Sequence, residues 1–271
     1  MDGALVTGYF EPDVAGALKP DDQYGVPVYA LPDDLVILDG RTGRGDMQQD
    51  LTAARGTPHG LVPYYTRQEI EQGALSGRGL EIAWLADAYD AYVMQVQGSG
   101  LIRLPDGASL RLGFSGKNGH PYTSIGKVLI ERGALSAESA TLDKVLEWLR
   151  AHPEEGRAVM WENRSYPFFR NTGEDEAADG PLGSMGAPLT QGRSLAVDPR
   201  YHQLGLPIWV SAPELIDGEK RPFQRLMIAQ DSGSAIRGPV RGDIFWGGGN
   251  DAGRIAGATK HICDFIVLIP N

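Results

Sequence analysis

The sequence is poor in whatever would staple a chain, anchor it in lipid or charge it positively. It has one cysteine, Cys263, in 271 residues, which excludes an intramolecular disulfide and a cysteine-rich metal site. Cys263 stands among Ile262, Phe265, Ile266 and Val267, where a lone thiol reads as a small buried hydrophobe. No apolar run approaches the roughly 18 residues that suggest a membrane-spanning helix. Residues 1–6 lack the basic and apolar regions of a signal peptide. Basic residues are in deficit: 25 Lys and Arg against 35 Asp and Glu leave a formal charge of −10. Such a chain lacks the clustered cations that neutralise nucleic-acid phosphates, so no nucleic-acid partner is expected. The five histidines, at 59, 120, 152, 202 and 261, are too scattered to suggest a metal site. A phosphate-binding glycine loop, a His-Glu-x-x-His run and a serine-hydrolase elbow are all missing.

What is present points to many short strands. The 36 glycines and 18 prolines are scattered, as turn residues between strands are. Residues 5–10, 26–31, 35–38 and 92–97 read as strands, and Pro105-Asp106-Gly107 as the turn of a hairpin. Thr66 and Glu69 form a capping box with Gly73 as a plausible stop, and Ser124 caps a short helix. Leu142, Val145, Leu146 and Leu149 predict an amphipathic helix over 137–151. Residues 171–187, acidic and then glycine-rich, read as a linker. Beyond them, runs at 195–197, 207–211, 225–229, 243–246 and 265–269 suit a small β-barrel. Asp231-Ser232-Gly233 after an apolar run resembles an aspartic-protease loop, but the second copy which that chemistry needs is missing.

A longer series of motifs carries a stronger signal. In order, it comprises Thr7-Gly8-Tyr9-Phe10-Glu11-Pro12, Tyr65-Thr66-Arg67-Gln68-Glu69, Gln97-Gly98-Ser99-Gly100 and Lys117-Asn118-Gly119-His120-Pro121-Tyr122. It ends with Asn163-Arg164-Ser165-Tyr166-Pro167, Gln230-Asp231-Ser232-Gly233 and Gly242-Asp243-Ile244-Phe245-Trp246-Gly247. The series resembles the membrane-bound lytic murein transglycosylase A family over nearly the whole chain.

That resemblance implies a mainly β fold with a few helices. A double-psi β-barrel catalytic domain, residues 1–12 and 178–271, would carry an inserted β-rich domain, residues 13–177, with a groove between them. It implies cleavage of the β-1,4 bond between N-acetylmuramic acid and N-acetylglucosamine in bacterial peptidoglycan, leaving 1,6-anhydromuramoyl ends. No metal or cofactor is implied. The partner would be a glycan strand, the chain a monomer, and its place the periplasm. Family members usually carry a lipidated N-terminal segment before the Thr-Gly-Tyr motif, which would anchor a full-length form to the outer membrane. This chain starts six residues before that motif.

The module named for three aspartates matches Asp198, Asp231 and Asp243, and the family's catalytic acid matches Asp243. One carboxyl group can serve such a reaction twice, as general acid to the leaving oxygen and then as base to the C6 hydroxyl. Apolar neighbours Ile244, Phe245 and Trp246 suit an acid with a raised pKa. Expected substrate contacts are Asp231, Thr7, Tyr9, Gln97, Gly98, Ser99, Gly100, Gly233 and Trp246. Tyr9 and Trp246 read equally well as core aromatics, Asp231 with Gly233 as a turn, Asp198 as a structural aspartate, and Lys117, Asn118 and His120 as a polar loop. Two other functions stay open: a non-catalytic glycan-binding module, and a hydrolase using Asp231 or Glu11 as a second carboxylate roughly 6.5–9.5 Å from the acid.

Overall fold

The computed structural model describes residues 3–39, 47–173, 180–212 and 222–269. The chain forms two compact units, one of Met1–Asp13 with Thr172–Asn271 and one of Val14–Asn171. Strand β1 (Ala4–Glu11) opens the first unit. The chain then enters the second, which holds β2 (Asp13–Ala17), β3 (Val26–Tyr29), β4 (Leu35–Ile37), β5 (Ala53–Thr57) and β6 (Gly60–Pro63). The three-residue α1 (Arg67–Glu69) follows, then β7 (Glu81–Leu85), α2 (Ala88–Gln97), β8 (Ser99–Arg103) and β9 (Ser109–Lys117). Helices α3 (Ile125–Glu131), α4 (Leu142–Ala151) and α5 (Pro153–Glu162) and strand β10 (Pro167–Asn171) complete that unit. The first unit resumes with β11 (Ser194–Ala196), β12 (Pro207–Ala212), β13 (Phe223–Asp231), β14 (Arg241–Gly248), α6 (Gly249–Ala258) and β15 (Lys260–Val267).

In the second unit a six-stranded sheet runs β10-β9-β8-β2-β7-β3, and β4-β5-β6 form a smaller one. Val28, Leu85, Met94, Ile102, Leu112 and Phe169 make one core, and Leu129, Val145, Leu149, Val159 and Met160 bind the three later helices into another. The hairpin of β8 and β9 turns at Gly107, whose φ of 88° suits a residue without a side chain. The Thr66–Glu69 capping box is present, and the helix it starts ends in a turn broken at Gly73, whose non-helical φ of 102° fits its expected place as the stop.

Residues 92–97 are helical, which corrects the strand expectation. Asp87 caps α2 by accepting from the Tyr89 amide at 2.6 Å, and left-handed Gly98 closes it. Residues Ala91 to Gln95 are all buried, so the helix shows no polar face to betray its 3.6-residue period. The helix expected over 137–151 is confined to α4, where Thr141 caps it. Residues 174–179 of the expected linker lie outside the described residues.

The first unit is a closed barrel in the order β1-β14-β11-β13-β12-β15. Strands β1 with β14 and β11 with β13 pair in parallel, and the other neighbours are antiparallel. Val6, Leu195, Ile208, Val210, Ile244 and Phe265 are buried within it. Helix α6 packs on β1 and β14. Close approach demands small residues there: a Cβ on Gly8 would lie 2.8 Å from the Ala256 backbone, and one on Gly253 2.9 Å from the Phe10 ring.

Candidate active site

Four neighbouring barrel strands bring the candidate site together by register. Thr7 on β1 pairs with Asp243 on β14, Asp243 with Ala196 on β11, and Ala196 with Asp231 on β13. Paired residues present their side chains on the same face of a sheet, so these four form a row. The row depends on a bulge in β13. Leu195 pairs with Ala229 but Ala196 pairs with Asp231, so Gln230 is skipped. A bulge re-aims the side chains beyond it, and here it puts Asp231 rather than Gln230 beside Ala196.

Asp243 is partly accessible, and an apolar cluster of Tyr9, Leu189, Ala196, Ile236 and Phe245 lies on the same face. Burial pushes its carboxyl up to about 6, with the Asp231 charge adding to the rise, while the Thr7 hydrogen bond and the Arg241 cation oppose it. Thr7 Oγ1 donates to Asp243 Oδ1. The same hydroxyl accepts from Arg241 Nη2 at 2.8 Å. Arg241 also donates to the Leu5 carbonyl at 3.3 Å and to the Gly242 carbonyl.

Asp231 is held from two sides. Tyr9 Oη donates to its Oδ2 at 2.9 Å, and the Ser184 amide and hydroxyl donate to its Oδ1 at 2.9 and 2.8 Å. Burial, with the two carboxylates nearby, holds the Tyr9 phenol well above its ordinary pKa. Ser184 and Ser232 share a further hydroxyl–hydroxyl bond of 2.8 Å. Gly233 stands in the turn after β13, where its carbonyl accepts from the Ile236 amide.

Several expected contacts lie elsewhere. Trp246 is 2% exposed and alternates onto the face opposite Asp243, where its ring meets Phe223 and leaves no room for a side chain on Gly8. It is a core aromatic, because side chains along a strand point alternately to opposite faces. Glu11 is buried and pairs with Gly248, four residues from Thr7, roughly 13 Å at the rise of an extended strand. Asp198 is buried and structural: Arg200 and the Gly238 amide donate to it and hold its carboxyl well below the usual range.

Gln97, Gly98, Ser99 and Gly100 belong to the second unit. Gln97 and Gly98 are partly accessible, whereas Ser99 and Gly100 are buried, and a Cβ on Gly100 would strike the Met94 side chain. The last two therefore shape the start of β8 rather than offer a surface. Asn118 is fully buried and bonded to Tyr65, Arg164 and Tyr166, and His120 is buried against the Tyr64 carbonyl, so both build the unit's interior.

Arg241 and Ser184 were not singled out in the sequence. Arg241 had a signal, since it stands two residues before Asp243 and so shares its face. Ser184 had none, being 47 positions from the aspartate it holds. Among the described residues no three His, Cys, Asp or Glu side chains gather as a metal site. The row can therefore offer a carboxyl that is protonated in mildly acidic solution, beside a second carboxylate whose two oxygens accept hydrogen bonds from the protein.

The family model for the MltA specific insert domain matches residues 5–170, and that for the 3D domain matches 193–269. The chain is 35% identical to membrane-bound lytic murein transglycosylase A of Vibrio cholerae over 95% of its own length, and 32% identical to that of Escherichia coli K12 over 94%. It spans 63% and 62% of those relatives, just under two thirds. Among solved structures, the membrane-bound lytic murein transglycosylase from Agrobacterium tumefaciens superposes with a TM-score of 0.92 at 38% identity, covering 98% of this chain and 74% of that one. E. coli MltA with bound chitohexaose gives 0.80 at 28% identity, covering 98% and 72%.

Proposed function

The chain belongs to the membrane-bound lytic murein transglycosylase A family, and from that premise we propose that it is a peptidoglycan lyase whose single catalytic residue is Asp243. It cleaves the β-1,4 bond between N-acetylmuramic acid and N-acetylglucosamine and leaves a 1,6-anhydromuramoyl end. The observation that carries the reading is the Asp243 carboxyl itself, raised to about 6 and partly accessible at the barrel face. A general acid works best when its pKa lies near the working pH.

The reaction balances without water. Neutral Asp243 gives its proton to the glycosidic oxygen as the bond from that oxygen to the muramoyl C1 breaks, both electrons leaving with the oxygen. The muramoyl O6 then attacks C1, and its proton passes to the Asp243 carboxylate, which restores the acid. Because attacker and target belong to one sugar, effective molarity lowers the barrier, by about 7–11 kcal/mol in the best intramolecular cases. Asp231 raises the acid and positions the sugar beside it.

A hydrolase would need a second carboxylate free to activate water. Asp231 accepts three protein hydrogen bonds and Glu11 is buried farther along β1, which favours the lyase. Gln97 and Gly98 supply glycan contacts from their own unit, and the domain expectation carries over as barrel for catalysis and insert for substrate. The place of action is the bacterial cell envelope, on its periplasmic side. No helix among the described residues is long and apolar enough to cross a membrane.

The test is mass spectrometry of purified peptidoglycan digested by the protein and by Asp243→Asn. Products lighter by one water than hydrolytic fragments, and lost in the variant, are expected. Reducing-end products would make the protein a hydrolase. Binding without cleavage would make it a glycan-binding module.

A further inference from the structure

We infer that Arg241 is a positioning residue that locks the Thr7 hydroxyl toward Asp243, so that the proton Asp243 transfers resides on Oδ2 and not on Oδ1. The inference rests on the reading of Asp243 as the acid.

A guanidinium only donates, so the 2.8 Å bond between Arg241 Nη2 and Thr7 Oγ1 makes that oxygen an acceptor. The hydroxyl has one proton left to place, and its other partner is Asp243 Oδ1. Without Arg241 the hydroxyl is free to rotate and accept from a protonated Asp243. With it, one lone pair of the hydroxyl is occupied and Asp243 Oδ1 is the acceptor that its proton reaches, so accepting from a protonated Asp243 would leave that proton unpaired. A proton on Oδ1 would then face the Thr7 proton, so neutral Asp243 carries its proton on Oδ2.

The parts of this relay are rigidly mounted. Thr7 and Asp243 are register partners in a parallel ladder, and a β-branched side chain has few χ1 choices. Arg241 shares the face of Asp243 and is tied to the Leu5 and Gly242 carbonyls. The other charged or titratable groups on this face are Asp231 and Tyr9, with Lys260 on β15 paired to Thr7 from the side away from Asp243. Thr7 was expected to meet sugar; on this reading its one proton is committed to the acid, and it too is a positioning residue.

The test uses the full chain with Thr7→Val, Thr7→Ser, Arg241→Met, Arg241→Lys and the double variant Thr7→Val with Arg241→Met. Two readouts are taken: carboxyl-carbon NMR titration of Asp243, and the pH profile of kcat on glycan strands. Thr7→Val and Arg241→Met should each raise the Asp243 midpoint, and Thr7→Ser should restore it. Each single loss should lower kcat about tenfold, and the double variant about tenfold too, because groups that act as one unit are not additive. Arg241→Lys keeps the charge without the planar fork, so its Asp243 midpoint should lie between those of the parent and Arg241→Met.

The relay is overturned if the double variant shows the product of the single losses, or if Arg241→Met shifts the midpoint equally with and without the Thr7 hydroxyl. The NMR titration needs no turnover. A parent protein that releases no anhydro products would therefore refute the lyase while the titration still judged the relay.

Discussion

At Asp243 burial and the Asp231 charge raise the carboxyl while the Thr7 hydrogen bond and the Arg241 cation lower it, and burial prevails, with a folded value of about 6 against an ordinary 3.8. The folded state therefore holds a proton that the unfolded chain has released between about pH 4 and pH 6. Stability from this group is fully present below pH 4 and is lost as pH rises through 6, a cost of up to about 3 kcal/mol above that window. Asp243→Asn should abolish cleavage yet be more stable than the parent at pH 8 by about 1–3 kcal/mol, with the two converging near pH 4; denaturant titration at both pH values checks it. The parent's kcat/KM should fall about tenfold per pH unit above 6, as the acid form is depleted. Asp231→Asn removes the repulsion that helps to raise Asp243, so its alkaline limb should move to lower pH, read from the same profile. Asp243 itself was legible in a motif. That Thr7 donates to it was not, because a motif names residue types and not the direction of a hydroxyl proton.

Among the elements, α2 shows what a sequence pattern conceals. Its caps, Asp87 and Gly98, are local signals, but the five-residue buried run between them, Ala91 to Gln95, looks the same for an enclosed helix and a strand. What holds this helix is Arg67, 1% exposed. Its guanidinium reaches Gln95 Oε1 at 2.5 Å, Glu71 at 3.0 Å and the Asn163 and Ser165 carbonyls at 3.1 and 2.8 Å, with the Tyr92 ring 4.6 Å away. Arg67→Met would take the donor from Gln95 Oε1 and from the Asn163 and Ser165 carbonyls and should cost about 3 kcal/mol or more, seen as a lower denaturant midpoint. Gly98 has a φ of 87°, so Gly98→Ala should cost about 1–2 kcal/mol in the same assay. In the barrel, the bulge at Gln230 places Asp231 in the row with Ala196, Asp243 and Thr7. Nothing in Ala229-Gln230-Asp231 announces it, since a bulge answers to the partner strand.

For the whole molecule, the chain begins the barrel with one strand, builds a unit of Val14–Asn171, and only then returns. Strand β1 lies between β14 and β15, so a fragment of residues 172–271 has two unpaired edges. That fragment should remain unfolded and the fragment 14–171, with cores of its own, should fold; amide dispersion in NMR spectra of the two tests both outcomes. The amino-acid sequence by itself determined the strand-rich class, most barrel strands, the capping box at Thr66 and the identity of the carboxylates. These follow from alternation, turn chemistry and motifs, all carried within a few neighbouring residues. Tertiary structure alone decided that Thr7, Asp243, Ala196 and Asp231 share one row, that Trp246 faces away from it, and that Arg241 and Ser184 serve it. Those outcomes depend on register between strands as many as 236 positions apart, and register is settled only when the barrel closes and each buried face finds its partner.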